Sequence, residues 1–385
     1  MSLLTRACAV LLLVGACATD QQTTGDEVKG GIGGNGSNAT VNAGFRRVDL
    51  VANTGRLEAR HVDPRLVNAW GFVGAEGAFF IAANGTGAVP AYDGGGNASR
   101  IRLPAGGIML EAGITAIAEN RSSSFVIHTA TSCAAAKFIV SSESGKLIAF
   151  NPDLAIPRGG ITVVNRSAVK ASYKGVAIIK MQGGMRILAA DFHNGRIDIF
   201  DQNFHLVANP AGAKGKPAMF VDTGVAKGMA PFNVVALDDK VYVMYAQQDA
   251  DKHDAVKGAG LGVVTEFDLN GKLIREIVAG GLLNAPWGIA HAPANFCKVV
   301  GNALLVGNFG DGHIIAIDEK ANPTRIIGEL EGDTAGQTLV IDGLWGLAFN
   351  TAEANVVGAA ATTLYFTAGP NDENDGLFGM LTSSE

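Results

Sequence analysis

The sequence has few charged residues and no strong excess of either sign. Charged side chains make up 17% of the 385 residues, and the formal net charge is −6. A weak and dispersed negative charge argues against a nucleic-acid partner. No long stretch shows helical periodicity, and the apolar run near the N-terminus is too short to cross a bilayer. We therefore expect neither a helical fold nor a membrane-spanning helix.

The first 16 residues predict a secretory signal peptide. Arg6 precedes the apolar run 9–14, and small residues follow before Cys17, which is the layout of such a signal. The sequence around Cys17 resembles a bacterial lipobox, which predicts lipidation of Cys17. Ordinary cleavage after Ala18 is the alternative. We expect an exported lipoprotein of the cell envelope, facing the periplasm or the cell surface, or else a secreted protein. Membrane contact is expected only through the lipid anchor.

Residues 17–44 predict a flexible tether. They are rich in glycine, serine, asparagine and threonine, and such a segment buries too little apolar surface to offset the entropy of ordering. Its glycine cluster is not interpreted as a nucleotide-binding loop, because no strand precedes it and no helix follows it. A single folded domain is expected over residues 45–385.

Cysteine is scarce, with four residues in the chain, and two of them remain in the expected domain. Cys8 leaves with the signal peptide and Cys17 is the proposed anchor, so Cys133 and Cys297 are left. Export would permit a disulfide. The two cysteines nevertheless fall in the second and fifth units of the repeat described next, which would face each other across a ring. We expect no disulfide between them.

Glycine, by contrast, is abundant at 51 residues, and an aromatic–glycine pair opens several short apolar runs. This signature uses all three tryptophans of the chain, in Trp70-Gly71, Trp287-Gly288 and Trp345-Gly346, with weaker copies in 173–177 and 232–235. Units of about 50 residues with three or four short strands are typical of propeller blades. There a flat ring would pack between blades, and glycine would let the innermost strands approach closely. We expect the tryptophans to pack rather than to stack on a ligand.

We count six such units from residue 46 onward. Their first strands lie near residues Trp70, Ile114, Val176, Val234, Trp287 and Trp345. The sixth unit lacks a fourth strand, whereas Arg46–Val51 alternates as a strand should. The predicted fold class is therefore all-β: a six-bladed β-propeller closed by an N-terminal strand that completes the last blade. A β-sandwich is the main alternative, but it would not explain the recurring signature.

The turns between second and third strands are polar, and in a propeller they share one face with the loops leading into the first strands. The candidate ligand-binding residues on this face are Asp191, His193, Asp249, Asp251, His253, Asp254, Asn308 and Asp311. Oxygen donors suit Ca²⁺ or Mg²⁺, and Asp191, Asp249 and Asp251 are the candidate metal ligands. Turn chemistry is the competing interpretation, above all where Asn194, Asp311 and Asp375 directly precede glycine.

Several stretches together resemble a known family. They are residues 63–71, 190–195, 245–254, 305–312, 341–346 and 364–370. With these motifs the chain resembles a group of exported bacterial six-bladed β-propeller proteins without an established activity, distantly similar to NHL-repeat propellers. The resemblance covers roughly residues 46–382 and implies a fold and a location, but no chemistry.

The sequence shows neither a G-x-S-x-G elbow nor an H-E-x-x-H motif, so no catalytic residue is assigned. The leading hypothesis is a monomeric binding or scaffold module that takes a protein, a glycan or a small ligand on its polar face. The alternative is a divalent-metal-dependent hydrolase or lactonase that uses the mouth of the central channel. This alternative rests on analogy between folds.

Overall fold

Strands account for nearly all regular structure in the described part of the protein. The computed structural model describes residues 40–99, 107–154, 156, 159–207, 218–334 and 336–383, with side chains from residue 44 onward. Within these ranges, single turns of 3-10 helix occur at Gly55–Leu57 and Ser167–Val169. No helix of the described residues is long and apolar enough to cross a membrane. The predicted signal peptide, Cys17 and the tether up to residue 39 lie outside the described residues.

The described strands form six antiparallel meanders, numbered here in chain order. They are preceded by β1 (Thr40–Ala52) and β2 (His61–Val62). Meander 1 comprises β3 (Ala69–Ala75), β4 (Ala78–Ala83), β5 (Ala88–Val89), β6 (Ala91–Tyr92) and β7 (Ile108–Met109). Meander 2 comprises β8 (Ile114–Glu119), β11 (Phe138–Ser142), β12 (Lys146–Phe150) and β13 (Ile161–Asn165), with a hairpin of β9 (Val126–His128) and β10 (Cys133–Ala135) inserted after β8.

The remaining meanders are more regular. Meander 3 comprises β14 (Tyr173–Met181), β15 (Gly184–Asp191) and β16 (Arg196–Phe200). Meander 4 comprises β17 (Met229–Leu237), β18 (Lys240–Gln247), β19 (Gly262–Asp268) and β20 (Leu273–Ala279). Meander 5 comprises β21 (Pro286–His291), β22 (Leu304–Asn308), β23 (Ile314–Asp318) and β24 (Arg325–Gly332). Meander 6 comprises β25 (Leu344–Phe349), β26 (Leu364–Ala368) and β27 (Leu377–Ser383).

The N-terminal strand β1 pairs with the last strand of the chain. It runs antiparallel to β27, from Phe45 opposite Ser383 to Ala52 opposite Leu377. Its first residues also run parallel to β24, so meanders 5 and 6 share one sheet. The strand starts at Thr40, within the segment 17–44 that the sequence predicts to be a tether, and it includes the predicted strand 46–51.

The first strands of successive meanders contact one another in the order β3, β8, β14, β17, β21, β25, and β25 contacts β3 again. The signature glycines make this approach possible. A Cβ atom on Gly71 would lie 2.8 Å from the Cα of Ala116 in β8, and one on Gly288 would lie 2.5 Å from the carbonyl oxygen of Trp345. Any larger residue would push neighbouring first strands apart. The packing reason predicted for these glycines therefore agrees with the structure.

Two segments depart from the regular meander pattern. In meander 2, β9 pairs only with β10, outside the four-stranded sheet. Phe125 has a positive φ of 62° and packs on Phe204 of meander 3, which directs this segment away from the sheet. In meander 1, β5 and β6 both pair with β4 and are separated by Pro90, which has no N–H group to donate.

The two cysteines of the folded domain are not joined by a disulfide. Cys133 lies on β10 and is exposed, whereas Cys297 is buried between β21 and β22. This agrees with the expectation from their positions in the repeat.

Candidate ligand-binding site where the first strands meet

Aromatic side chains fill the centre where the first strands meet. Trp345 stacks on Trp70 with ring centroids 3.7 Å apart and on Phe309 at 4.0 Å. Trp287 meets Trp345 edge to face at 5.7 Å, and Phe232 lies 5.9 Å from the same ring. All three tryptophans are at most 4% exposed. Their burial agrees with the prediction that they pack within the fold rather than stack on a ligand.

A local irregularity of the strands presents these rings to the centre. The pairing of first and second strands shifts register across the signature residue, at Trp70, Phe232, Trp287 and Trp345. A register shift of this kind re-aims a side chain. The same shift occurs in β14 between Tyr173 and Gly175, and the residue at that position is Lys174. Meander 3 therefore presents a lysine where the other copies present an aromatic ring.

The Lys174 ammonium is buried beneath the polar face. Its side chain is only 1% exposed, and it donates a hydrogen bond to the Glu143 carboxylate. The nitrogen also lies 3.4 Å from Asp254 Oδ1 and 5.3 Å from the centre of the Trp70 ring. Lysine is almost never fully buried without an anionic partner. The exposure of the partners rises from 19% for Glu143 to 71% for Asp254, so the group leads from the aromatic centre toward solvent.

Hydrogen bonds extend this group across neighbouring meanders. Asn68, just before β3, donates to Glu373 Oε2 at 2.7 Å, and its amide nitrogen lies 3.4 Å from Asn84 Oδ1. Asn84, just after β4, donates in turn to Glu143 Oε2 at 3.0 Å. On the other side, His253 Nδ1 is 2.9 Å from Asp254 Oδ1. We call the whole set the polar arc; its members are Glu373, Asn68, Asn84, Glu143, Lys174, Asp254 and His253.

The carboxyl groups of the arc differ in their affinity for a proton. Burial raises the pKa of Glu373, the hydrogen bond from Asn68 offsets this only in part, and the Glu143 carboxylate raises it further. Burial also acts to raise the pKa of Asp254. The Lys174 ammonium and the hydrogen bond with His253 outweigh it, and the net pKa is lowered. The arc thus combines a readily ionised carboxylate with a carboxyl group that retains its proton more strongly.

An open cleft of about 550 Å³ adjoins the arc. Loops of meanders 2, 3 and 4 line it, through the residues Glu143, Ser144, Ser167, Lys170, Ala171, Ser172, His193, Asp251 and His253. Glu143 and His253 belong both to the arc and to the cleft. Ser172 Oγ is buried in the cleft wall and has no hydrogen-bond partner among the described residues. Carboxylates, imidazoles and hydroxyl groups therefore converge from distant parts of the sequence on one concave surface.

Four of the eight predicted site residues lie at this surface, and four have structural contacts elsewhere. His193, Asp251 and His253 line the cleft, and Asp254 belongs to the arc. Asp191 is fully buried and accepts hydrogen bonds from the Ser172 N–H and from Asn194 Nδ2, at 3.2 and 2.7 Å. Burial raises the pKa of Asp191, against the effect of these hydrogen bonds. Asp191 therefore holds its own turn in place.

The other three residues also stabilise loops. Asp249 accepts the His253 N–H at 2.8 Å, closing its own loop. Asn308 is fully buried and accepts the Asn284 N–H at 3.1 Å, while Asp311 accepts from Asn284 Nδ2 at 3.0 Å. Asp311 also accepts the His313 N–H at 3.1 Å within its own turn. This is the turn chemistry that the sequence offers as the competing interpretation for Asp311.

The predicted metal ligands Asp191, Asp249 and Asp251 are not brought together. Among the described residues, the group whose potential ligand atoms all lie within 4.8 Å of one another is Glu143, His253 and Asp254. The predicted set does not assemble because Asp191 and Asp249 use their oxygens to hold turns of the backbone.

Lys174, at the centre of the arc, is not among the predicted site residues, although the sequence carries a signal for it. Lys174 stands directly before a signature glycine, where an aromatic residue stands in the tryptophan copies. A charged residue at an otherwise apolar repeat position marks a site that packing does not explain. Glu143 and Glu373 had no comparable signal, because polar residues are ordinary in turns.

Repeated antiparallel meanders whose first strands converge on one centre define the β-propeller class of fold. No family model matches the chain. The chain is 30% identical over 348 residues to Uncharacterized protein L690 of Acanthamoeba polyphaga mimivirus, covering 88% of this chain and 86% of that protein. It belongs to the same family as this viral protein.

Solved structures share the fold at much lower identity. A structural genomics protein of unknown function from Bacteroides thetaiotaomicron matches with a TM-score of 0.50 at 9% identity, over 83% of this chain and 70% of that one. The WD40 domain of Pan2 from Neurospora crassa matches with a TM-score of 0.45 at 10% identity, over 89% and 97%. The converging antiparallel meanders confirm the predicted propeller class. The bacterial origin implied by the resemblance stays a prediction, since the relative that defines the family is viral.

Proposed function

We propose that the six meanders are the six blades of one propeller and that β1 supplies the outer strand of the last blade. The cyclic contacts of the first strands and the antiparallel pairing of β1 with β27 support this arrangement. An outer strand at this position covers a sheet edge that would otherwise invite association with other chains.

The function that the geometry supports best is binding of a small polar ligand by a module without catalytic activity. The observation that carries this proposal is the cleft of about 550 Å³, where loops of three meanders place polar side chains. Cavities of roughly 300–1,000 Å³ are typical of small-molecule sites. The unpartnered Ser172 hydroxyl in the cleft wall supports the proposal, because a buried polar group normally has a hydrogen-bond partner.

The lining favours a hydroxylated ligand that carries an amine. Asp251 offers its carboxylate oxygens to an ammonium group, whereas those of Glu143 already accept from Lys174 and Asn84. Ser144 and Ser167 offer hydroxyl groups. The large aromatic rings of the centre are buried, so a ring-stacking platform of the kind that neutral sugars use is lacking among the described cleft residues. A simple amino sugar fits this chemistry better than a neutral sugar of the same size.

Calorimetric titration of glucosamine and glucose into the purified protein tests this proposal. We expect glucosamine to bind and glucose to bind at least fivefold more weakly. Asp251→Asn should weaken glucosamine binding at least fivefold, whereas Asp239→Asn, at an exposed turn of meander 4 away from the cleft, should leave it unchanged. Equal affinities for the two sugars, or equal losses in the two variants, would contradict the proposed ligand class.

One observation favours a second candidate, a divalent-metal-dependent hydrolase or lactonase acting at the mouth with Ca²⁺ or Mg²⁺. Potential ligand atoms of Glu143, His253 and Asp254 lie within 4.8 Å of one another, although the Lys174 ammonium also contacts both carboxylates. Metal analysis of the purified protein, followed by thermal unfolding with and without chelator, tests it. Bound metal and a lower melting temperature in chelator would favour the hydrolase, and their absence would favour the binding module.

The N-terminal sequence supports a further part of the proposal, export and lipid attachment at Cys17. We also propose that the protein acts at the cell envelope as a monomer, on a protein, glycan or small-molecule partner. Expression in a bacterial host with labelled palmitate provides the test. Label should enter the wild-type chain and be absent from Cys17→Ser. Equal labelling of the two chains would contradict lipidation at this residue.

A further inference from the structure

The cluster of carboxylates at the mouth already contains a cation, and the chain itself supplies it. The Lys174 ammonium contacts both Glu143 and Asp254, the two carboxylates of the group whose ligand atoms lie within 4.8 Å of one another. Lys174 reaches this group from the aromatic centre, because it stands at the position that Trp70, Trp287 and Trp345 hold in other meanders. A lysine is long enough to pass the aromatic centre and to place its charge among the loops.

We propose that Lys174 is a built-in counter-ion that takes the place of a divalent cation, and that a neutral side chain at this position turns the group Glu143–His253–Asp254 into a metal site. Two carboxylates and one imidazole can supply the first ligands of such a site. The ligand atoms of one ion lie about 2.0–2.6 Å from it, and the three potential ligand atoms here lie within 4.8 Å of one another. This inference does not depend on what the neighbouring cleft binds.

The ammonium and a divalent ion cannot share the group. An ion held by Glu143 and Asp254 would lie within a few ångströms of Lys174 Nζ, and the lysine side chain is only 1% exposed. Water has little access to this ammonium, so a second positive charge beside it would be repelled. The Trp70 ring, with its centre 5.3 Å from the nitrogen, favours the ammonium where it is. The wild-type chain should therefore bind divalent ions weakly at this group.

The donor atoms indicate which ion the altered site would take. Carboxylate oxygens suit Mg²⁺, Ca²⁺ and Mn²⁺, whereas imidazole suits zinc and other transition metals. Mn²⁺ accepts both kinds of donor and gives an electron paramagnetic resonance signal that weakens when the ion leaves water for a protein site. Mn²⁺ is therefore the probe of choice.

The experiment titrates Mn²⁺ into wild type, Lys174→Met and Lys170→Met, with the resonance signal of free Mn²⁺ as the readout. Lys170→Met is the matched control, because Lys170 also lines the cleft but is exposed. We expect Lys174→Met to bind one Mn²⁺ at least tenfold more tightly than wild type or Lys170→Met. Adding Glu143→Gln to Lys174→Met should abolish the gain.

Several outcomes would overturn the proposal. A folded Lys174→Met protein that binds Mn²⁺ no better than wild type would do so, as would a gain of the same size in Lys170→Met. Tight, saturable binding by wild type that Glu143→Gln removes would also contradict it, and this measurement does not require any lysine variant to fold. If Lys174→Met unfolds, Lys174→Gln keeps a polar side chain at the position and should show the same gain.

Discussion

The two sides of the centre are both formed by first strands of meanders, but one side is aromatic and the other is polar. On the side of meanders 5, 6 and 1, Trp287, Trp345 and Trp70 close the centre with stacked and edge-on rings. On the side of meanders 2 and 3, Thr115 of β8 and Lys174 of β14 come next in the ring of first strands. Thr115 is fully buried, and its hydroxyl donates to the Tyr173 carbonyl at 2.8 Å. The polar cleft opens on this second side.

This difference shows how one copy of a repeat acquires a polar site without a change of fold. The register shift that aims a tryptophan at the centre in β3 also aims Lys174 in β14. A ring at this position only adds packing. An ammonium requires anions nearby, and the turns of meanders 2 and 4 supply them through Glu143 and Asp254.

The largest loss of stability is expected when the aromatic side loses its central ring. Trp345→Ala removes the ring that touches Trp70, Trp287, Phe232 and Phe309. It should lower the free energy of unfolding by about 3–5 kcal/mol through lost burial and the resulting cavity. Urea unfolding followed by circular dichroism measures it. A loss below about 1 kcal/mol would show that the rings do not hold the meanders together.

A smaller effect is expected when the polar side loses its buried pair. Glu143→Ala leaves the Lys174 ammonium at 1% exposure with the more exposed Asp254 as its remaining carboxylate contact. Removing one partner of a buried ion pair is destabilising, and with Asp254 still present we expect about 2 kcal/mol. The same urea titration applies. An unchanged midpoint would mean that the ammonium has access to water.

The junction of meanders 4 and 5 should respond to pH. His291 of meander 5 is 3.0 Å from both Asp238 of meander 4 and Glu319. Burial acts to lower the pKa of His291, but the hydrogen bond and charge of Glu319, together with Asp238, outweigh it and raise the pKa. This contribution to stability is therefore complete below the unfolded pKa of about 6.5 and is lost as pH rises through the folded pKa.

His291→Gln tests this junction. The stability difference between wild type and variant should be on the order of 1 kcal/mol at pH 6 and smaller at pH 9. Urea titrations at the two pH values measure it. A difference that grows with pH would have the wrong sign for a raised pKa.

The smallest effect is expected at the outer end of the arc. Asp254 is 71% exposed, and exposed ion pairs contribute about 0–1 kcal/mol. Asp254→Ala should therefore cost clearly less than Glu143→Ala, although both side chains contact the same ammonium. Equal losses would show that depth beneath the surface does not decide the strength of these pairs.

Much of the framework could be predicted from the sequence because its causes are local. The aromatic–glycine signature fixed where first strands begin, and the close approach of Gly71 to β8 explains why glycine is needed there. The arc could not be predicted in the same way. The Glu143–Lys174 pair joins residues 31 positions apart, and the Asn68–Glu373 bond joins residues 305 apart. Such pairs depend on how turns converge in space.

The candidate site was predicted only in part, and the reason why the rest was missed is related. Polar turn residues look alike in sequence whether they hold the turn, as Asp191 does, or face the cleft, as Asp251 does. Which alternative applies depends on the neighbouring loop. For Asp191 the deciding contacts are the N–H groups of Ser172 and Asn194, which occupy its carboxylate beneath the cleft.

Hydrogen–deuterium exchange with and without glucosamine tests most directly whether the polar side is the binding surface. We predict slower exchange in residues 142–146, 166–173 and 248–256, which form the loops around the cleft, and no change in residues 308–313 and 369–376 on the aromatic side. Protection confined to the loops of meanders 5 and 6 would contradict it.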